Sequence, residues 1–207
     1  VNANVPFSYG DLVRPELIDY LVRDDSPLFT KDYAEPDETE KLISKNCSEL
    51  IPDGACLQMG IGALPNALAV ALSDHKDLGL HTEMFADGIL RLIKKGVING
   101  RRKKIDTGKV VASFLLGSDE VYKFIDHNPD VLMKDIKYTN DPWVISQNPC
   151  MTAINSAIEV DFTGQICADS IGTRMFSGTG GQVDFVRGAT MSEGGKSITV
   201  FASRTKK

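Results

Sequence analysis

Three stretches of this 207-residue chain bring together residue types that could do chemistry. In Gln58-Met-Gly-Ile-Gly-Ala-Leu-Pro65, Gly60 and Gly62 flank Ile61 between an apolar run and a helix-like one. Glycines let the backbone turn tightly, so amides and a helix N-terminus can face an anion or a developing oxyanion. The rival reading is a dinucleotide fingerprint, which breaks at Pro65, where the third glycine should stand. Glu83 nevertheless falls near the place of a ribose-binding acid. A plain strand-to-helix turn without a ligand is the third reading. In Leu80-His-Thr-Glu-Met84 a carboxylate closes a strand, the end at which open α/β sheets hold ligands. His81 shares a face with Glu83 if the strand stays regular, and reads as a structural histidine rather than a general base. In Ser177-Gly-Thr-Gly-Gly-Gln-Val-Asp-Phe185, three glycines in four residues make an open loop that can pack against a ligand. No Gly-Lys-Ser/Thr follows, so it is not a P-loop. An ordinary connection fits it too, and Asp184 could cap its amides as readily as touch a ligand.

The elements that must position these groups alternate in kind. Residues 37–50 read as a helix with acidic residues in its first turn, where the helix dipole favours them. Residues 55–59 read as a strand and Pro65 opens a helix through Leu72. A strand over 78–83, a helix over 87–95 stopped by Gly96, a strand over 109–116 and a helix capped by Ser118 follow. Such alternation predicts βαβ units and a mostly parallel sheet. The last third reads as strands over 152–161, 165–168 and 197–202 joined by glycine-rich turns. Residues 1–35, with Pro6, Pro15 and Pro27, read as a connector or the end of a preceding domain, and 36–207 as the domain that follows it.

Apolar residues are 42% and charged residues 25% of the chain, as in soluble globular proteins. No apolar run approaches the ~20 residues that cross a bilayer. Twenty-three basic against 28 acidic side chains leave a net charge of −5, which does not favour nucleic acid or an anionic membrane. The basic cluster Arg101-Arg-Lys-Lys104 reads as a solvated loop. Cys47, Cys56, Cys150 and Cys167 form no CxxC and read as reduced thiols. The chain opens at Val1 without an initiator Met and stops just after a strand, so it is expected to be a fragment, truncated at both ends.

Taken together, residues 58–67, 77–84, 86–88, 153–161 and 178–185 resemble family I coenzyme A transferases. The likeness is to the acetyl-CoA hydrolase/transferase group that includes 4-hydroxybutyrate and butyrate:acetate CoA-transferases. It runs from about Pro36 to Ser203, and several spaced motifs in order make it more specific than any one glycine loop. The resemblance implies an α/β fold with an open, mostly parallel sheet flanked by helices, one of two similar halves around an active-site cleft. It makes Glu83 the nucleophile that passes coenzyme A from an acyl-CoA to a short-chain acid (acetate, butyrate or 4-hydroxybutyrate) through a glutamyl-CoA thioester. Gly60, Ile61 and Gly62 are then oxyanion-loop candidates. Gly178, Gly180, Gly181 and Asp184 would bind CoA, and Gln58 and Asn155 would orient the carboxylate.

On this resemblance no metal or cofactor is expected, CoA being a substrate. The expected partners are acyl-CoA, carboxylic acid and further copies of the same chain, a homodimer or higher homo-oligomer, with no nucleic acid and no membrane. A cytoplasmic home is expected, a mitochondrial one being left open. Two other readings stand beside it: an acyl-CoA hydrolase using the same glutamate, and a non-catalytic ligand-binding or interface domain. A dehydrogenase would instead bind nicotinamide and form no thioester.

Overall fold

The computed structural model describes residues 1–31, 34–60 and 62–204. Its main sheet has seven strands: β1 (Tyr9–Gly10), β2 (Cys56–Met59), β3 (Gly79–His81), β4 (Val110–Ala112), β5 (Val131–Met133), β6 (Met151–Ser156) and β7 (Lys196–Val200). They lie in the order β1-β5-β4-β3-β2-β6-β7. Every pairing is parallel. The helices are α1 (Glu38–Ser48), α2 (Ala63–Ala71), α3 (Asp87–Lys94), α4 (Asp119–Ile125), α5 (Ile136–Thr139), α6 (Pro142–Ser146) and α7 (Gln182–Met191). The α/β class and the parallel sheet expected from the alternation are therefore present. β1 lies in the stretch read as a connector, and pairs Tyr9 with Leu132.

The order of the strands decides where a ligand can sit. From β2 the chain steps through β3, β4 and β5 to one side, then returns to lay β6 and β7 on the other. Helices leave these strands in opposite directions, so a crevice opens beyond the carboxyl ends of β2 and β6. Strands buried on both faces need apolar residues throughout. Leu57 in β2, Leu80 in β3, Val111 in β4 and Ala153 in β6 are fully buried.

Local chemistry explains most helix ends. Asp37 accepts from the Glu40 amide while the Glu40 side chain accepts from the Asp37 amide, a reciprocal cap for α1. α3 buries Ile89, Leu90 and Leu92 and ends with basic Arg91 and Lys94 before Gly96 at φ 74°.

Several expectations are corrected. α2 starts at Ala63, with Gly62 at φ 120° as its cap, and Pro65 is the third helical residue, where its missing N–H would have no intrahelical partner anyway. Ser118 precedes α4 but does not cap it, because its hydroxyl and amide both bond the Asp87 carboxylate. The strand expected over 78–83 ends at His81, and the one over 109–116 is interrupted at Ser113. The Glu83 carbonyl accepts from the amides of both Ser113 (2.9 Å) and Phe114 (3.1 Å). Beyond that break Met84–Phe85 pairs with Phe114–Leu115. Residues 152–161 end as a sheet strand at Ser156, and Glu159–Val160 turns back on Ile166–Cys167 as an antiparallel ribbon.

Two differences are larger. The glycine-rich stretch read as loop becomes helix α7 from Gln182. Lys103, read as part of a solvated loop, is buried, and its ammonium donates to the carbonyls of Leu80 (3.1 Å) and Lys109 (2.9 Å). Burial lowers its pKa. Its neighbours Arg101, Arg102 and Lys104 are exposed as expected.

Helices α6 and α7 meet at a glycine. A Cβ on Gly188 would lie 2.5 Å from Ile145 Cβ and 3.0 Å from the Pro142 carbonyl oxygen. Gly188→Ala is thus expected to force the helices apart and destabilise the protein by roughly 1–3 kcal/mol, read as a lower urea midpoint. An unchanged midpoint would mean that this approach is not tight.

Candidate active site

Glu83 stands two residues past the end of β3, at the interruption shared with β4. Its Oε2 accepts a hydrogen bond of 2.8 Å from the Asn140 amide, which follows α5. Gly181, the residue before α7, packs on the same oxygen: a Cβ built there would lie 2.1 Å from Glu83 Oε2 and 2.4 Å from Asn140 Nδ2. The carboxylate therefore rests against a backbone that has no room for any side chain. The N-terminal end of α7, ten residues long, comes with that contact, and its unpaired amides and dipole favour negative charge. Glu83 itself is half-buried and so stays reachable.

The backbone before Glu83 is held firmly. The Thr82 amide donates to Val111 O (3.0 Å), and the buried Thr82 hydroxyl to Met59 O (3.1 Å) at the end of β2. His81 is fully buried, and its Nε2 donates to the Thr139 carbonyl at 2.9 Å. A carbonyl can only accept, so the proton is on Nε2. Nδ1 carries a buried lone pair without a partner. Burial first, and the Lys103 ammonium second, hold the His81 pKa down at about 4. His81 and Glu83 thus reach the consecutive residues Thr139 and Asn140, and the histidine ties the two segments together. The structural role expected for His81 agrees with this geometry.

The other sequence-derived candidates fall into separate groups. Gln58 and Asn155 face each other at the crevice between β2 and β6, with Nε2–Oδ1 and Nδ2–Oε1 distances of 3.3 and 3.1 Å. Asn155 also lines a cavity of about 200 Å³ with Met59, Gly60 and Pro65. A Cβ on Gly60 would meet nothing within 4 Å, and Gly62 serves as the α2 cap. Ile61 lies outside the described residues. Gly178 lines a cleft of about 510 Å³ with Ser177, Thr179, Gln182, Arg187 and Thr199, floored by α7 and β7. Gly180 adopts φ 54°, a conformation that favours glycine. Asp184 sits in the first turn of α7. Of the three glycines only Gly181 packs on Glu83.

Asn140 was not singled out by sequence. Asp141-Pro142 marks a helix start, with Asp141 accepting from the Trp143 amide and Pro142 first in α6. That signal locates a turn but not its contact with a carboxylate 57 residues away. Among the described residues no cluster of three His, Cys, Asp or Glu side chains could hold a metal, and no helix is long and apolar enough to cross a membrane.

A parallel α/β sheet with a carboxylate at a strand end, held beside the strand-order reversal, is the layout of an α/β enzyme domain that works at its carboxyl edge. The family model for the acetyl-CoA hydrolase/transferase C-terminal domain matches residues 117–207. A 4-hydroxybutyrate coenzyme A transferase of Clostridium kluyveri is 45% identical over 208 residues, covering 100% of this chain and 48% of that protein. A probable butyrate:acetyl-CoA coenzyme A-transferase of Syntrophomonas wolfei is 44% identical, covering 98% and 47%. The solved 4-hydroxybutyrate CoA-transferase of Porphyromonas gingivalis superposes with a TM-score of 0.85 at 41% identity, over 97% of this chain and 48% of that one. Residues 117–207 thus match that family's C-terminal domain, and the chain spans about half the length of the curated relatives it matches.

The His81 environment has a consequence for stability. Its pKa falls from 6.5 to about 4 on folding, so the unfolded chain binds more protons between those values. The contribution is full above pH 6.5 and is lost as pH falls towards 4, by about 3 kcal/mol. His81→Gln, which keeps a donor for Thr139 O, is expected to flatten the pH dependence of urea stability over that window. An unchanged slope would show that His81 is not buried neutral.

Proposed function

We propose that this chain carries the nucleophile of a coenzyme A transferase that moves CoA between an acyl-CoA and a short-chain carboxylic acid. The observation that carries the reading is the Glu83 carboxylate, held on Oε2 by Asn140 and Gly181 at the carboxyl edge of the sheet. The match of residues 117–207 to the acetyl-CoA hydrolase/transferase C-terminal domain and the similarity to transferase relatives support it.

A carboxylate is a weak nucleophile, but a thioester carbonyl is a good electrophile. A Glu83 oxygen adds to the acyl carbonyl carbon, the C–S bond breaks, and CoA leaves as its thiolate, giving an acyl-glutamyl anhydride. The thiolate then adds to Glu83 Cδ, the anhydride C–O bond breaks, and the free carboxylate departs from a glutamyl-CoA thioester. A second carboxylate runs the steps in reverse, which is ping-pong covalent catalysis. Carboxylates and thiolates exchange without net proton or electron change, so no metal, flavin or nicotinamide enters the route.

In the second addition negative charge builds on the Glu83 carbonyl oxygen. Asn140 already donates to Oε2, so the group holding the resting carboxylate also serves the tetrahedral intermediate, worth about 3–4 kcal/mol for a well-aimed donor. The Gly178 cleft has the size for part of CoA, with Arg187 offering a cation to its phosphates. Binding energy from those remote parts offsets the anhydride step. Gln58 and Asn155 shape the crevice floor where the acyl group would lie.

Full-length protein with butyryl-CoA and acetate is expected to give parallel double-reciprocal plots. Glu83→Ala should lower kcat by roughly 10³-fold or more. Intersecting plots, or an active Glu83→Ala, would sink the reading. Release of free CoA without acetate, at the rate seen with it, would favour hydrolysis. Gly181→Ala should cut kcat at least tenfold by wedging Glu83 from Asn140, at a stability cost of only about 1 kcal/mol. Wild-type kcat in that variant would remove Gly181 from the site.

A further inference from the structure

Behind Asn140 runs a chain of hydroxyl groups whose proton directions can be worked out. Thr139 is fully buried. Its Oγ1 lies 3.0 Å from Asn140 Oδ1 and 3.5 Å from the Ile136 carbonyl, and it is in close hydrogen-bond contact with the Ser113 hydroxyl. A hydroxyl has one proton, a carboxylate has none, and the Asn140 amide has a donor end and an acceptor end. With Glu83 ionised, its Oε2 must receive the Asn140 NH2. Asn140 Oδ1 is then left as an acceptor, and the Thr139 proton is the one that reaches it. Thr139 Oγ1 in turn receives the Ser113 proton. This is the arrangement in which each of these groups finds its partner, and each bond polarises the next.

We propose that Thr139 is a positioning residue, whose hydroxyl keeps the Asn140 amide turned with its NH2 towards the Glu83 carboxyl. The inference rests on Glu83 being the nucleophile. Without that hydroxyl the two amide orientations differ only in what they show to Glu83. The flipped one would set oxygen lone pairs against the charge that grows on Oε2. Ser113 backs the arrangement by donating to Thr139, and His81 fixes its backbone through the Thr139 carbonyl. Ser113 stands at the strand interruption whose amide also holds the Glu83 carbonyl, so the network closes on the residue it serves.

Two substitutions separate this role from simple packing. Thr139→Val keeps the shape and both branches but loses the hydroxyl, whereas Thr139→Ser keeps the hydroxyl and loses a methyl group. In the full-length protein, Thr139→Val is expected to lower kcat roughly tenfold, with the KM for acyl-CoA within about twofold of wild type. Thr139→Ser should keep kcat within about threefold of wild type even if its thermal midpoint falls. A packing role gives the opposite ranking, with Thr139→Val near wild type and Thr139→Ser impaired, and would overturn the proposal. If Thr139→Val does not fold, Ser113→Ala at a half-buried position carries the test. A kcat lower by roughly threefold supports the chain of hydroxyls, and an unchanged kcat overturns it. Glu83→Ala is assayed alongside. Its inactivity beside a normal Thr139→Val means that the positioning role fails and the nucleophile stands. Activity in Glu83→Ala removes both.

Discussion

A carboxylate that must attack a thioester has to be aimed and still open to its substrate, and the contact among Glu83, Asn140 and Gly181 meets both needs. The Asn140 amide fixes one oxygen. The bare backbone of Gly181 fills the space on that side so closely that a methyl group would collide with the same oxygen. The second carboxylate oxygen lies outside this grip. A side chain with three rotatable bonds is thereby held without being sealed off. The cost of holding it falls on groups that are already ordered by the fold.

Delivering those groups is what the surrounding architecture does. Parallel strands stepping outward from β2 place Glu83 on the carboxyl edge next to the crevice where β6 begins the other wing. Asn140 stands between α5 and α6, and Gly181 just before α7. The close approach of α6 to α7 at Gly188 therefore draws Asn140 and Gly181 to one point. The buried Lys103 ammonium and His81 imidazole work from beneath, pinning β3 to β4 and to the Thr139 carbonyl respectively. Burying these two bases is unfavourable for their charged forms, and the lowered pKa values record that strain.

Much of this layout could be read from the chain itself. The capped and amphipathic α1 and α3, the apolar β2 and the acid closing β3 carry local signals, so their positions follow from propensity and periodicity. Helix α7 did not show, because Gly180, Gly181 and Gly188 look like loop punctuation. Gly181 and Gly188 are there for contacts with Glu83 and Ile145, which no local pattern encodes. Lys103 was hidden in a basic run whose other members are exposed. Its burial depends on the carbonyls of Leu80 in β3 and of Lys109 just before β4, which only the folded sheet brings together. Asn140 escaped for the same reason, since its partner is a tertiary one. For Gln58 and Asn155 the parallel register of β2 and β6 sets Gln58 opposite Ala153, and the Asn155 side chain, two residues further along β6, bonds that of Gln58.

In the proposed mechanism Glu83 becomes covalently joined to coenzyme A. Its most direct test is to mix the full-length protein with acetyl-CoA, record the intact mass, and map the modified peptide. A gain of one CoA, less water, is expected on the peptide containing Glu83. Added acetate should remove it as acetyl-CoA reappears. Consumption of acyl-CoA with Glu83 unmodified at every time sampled would contradict it.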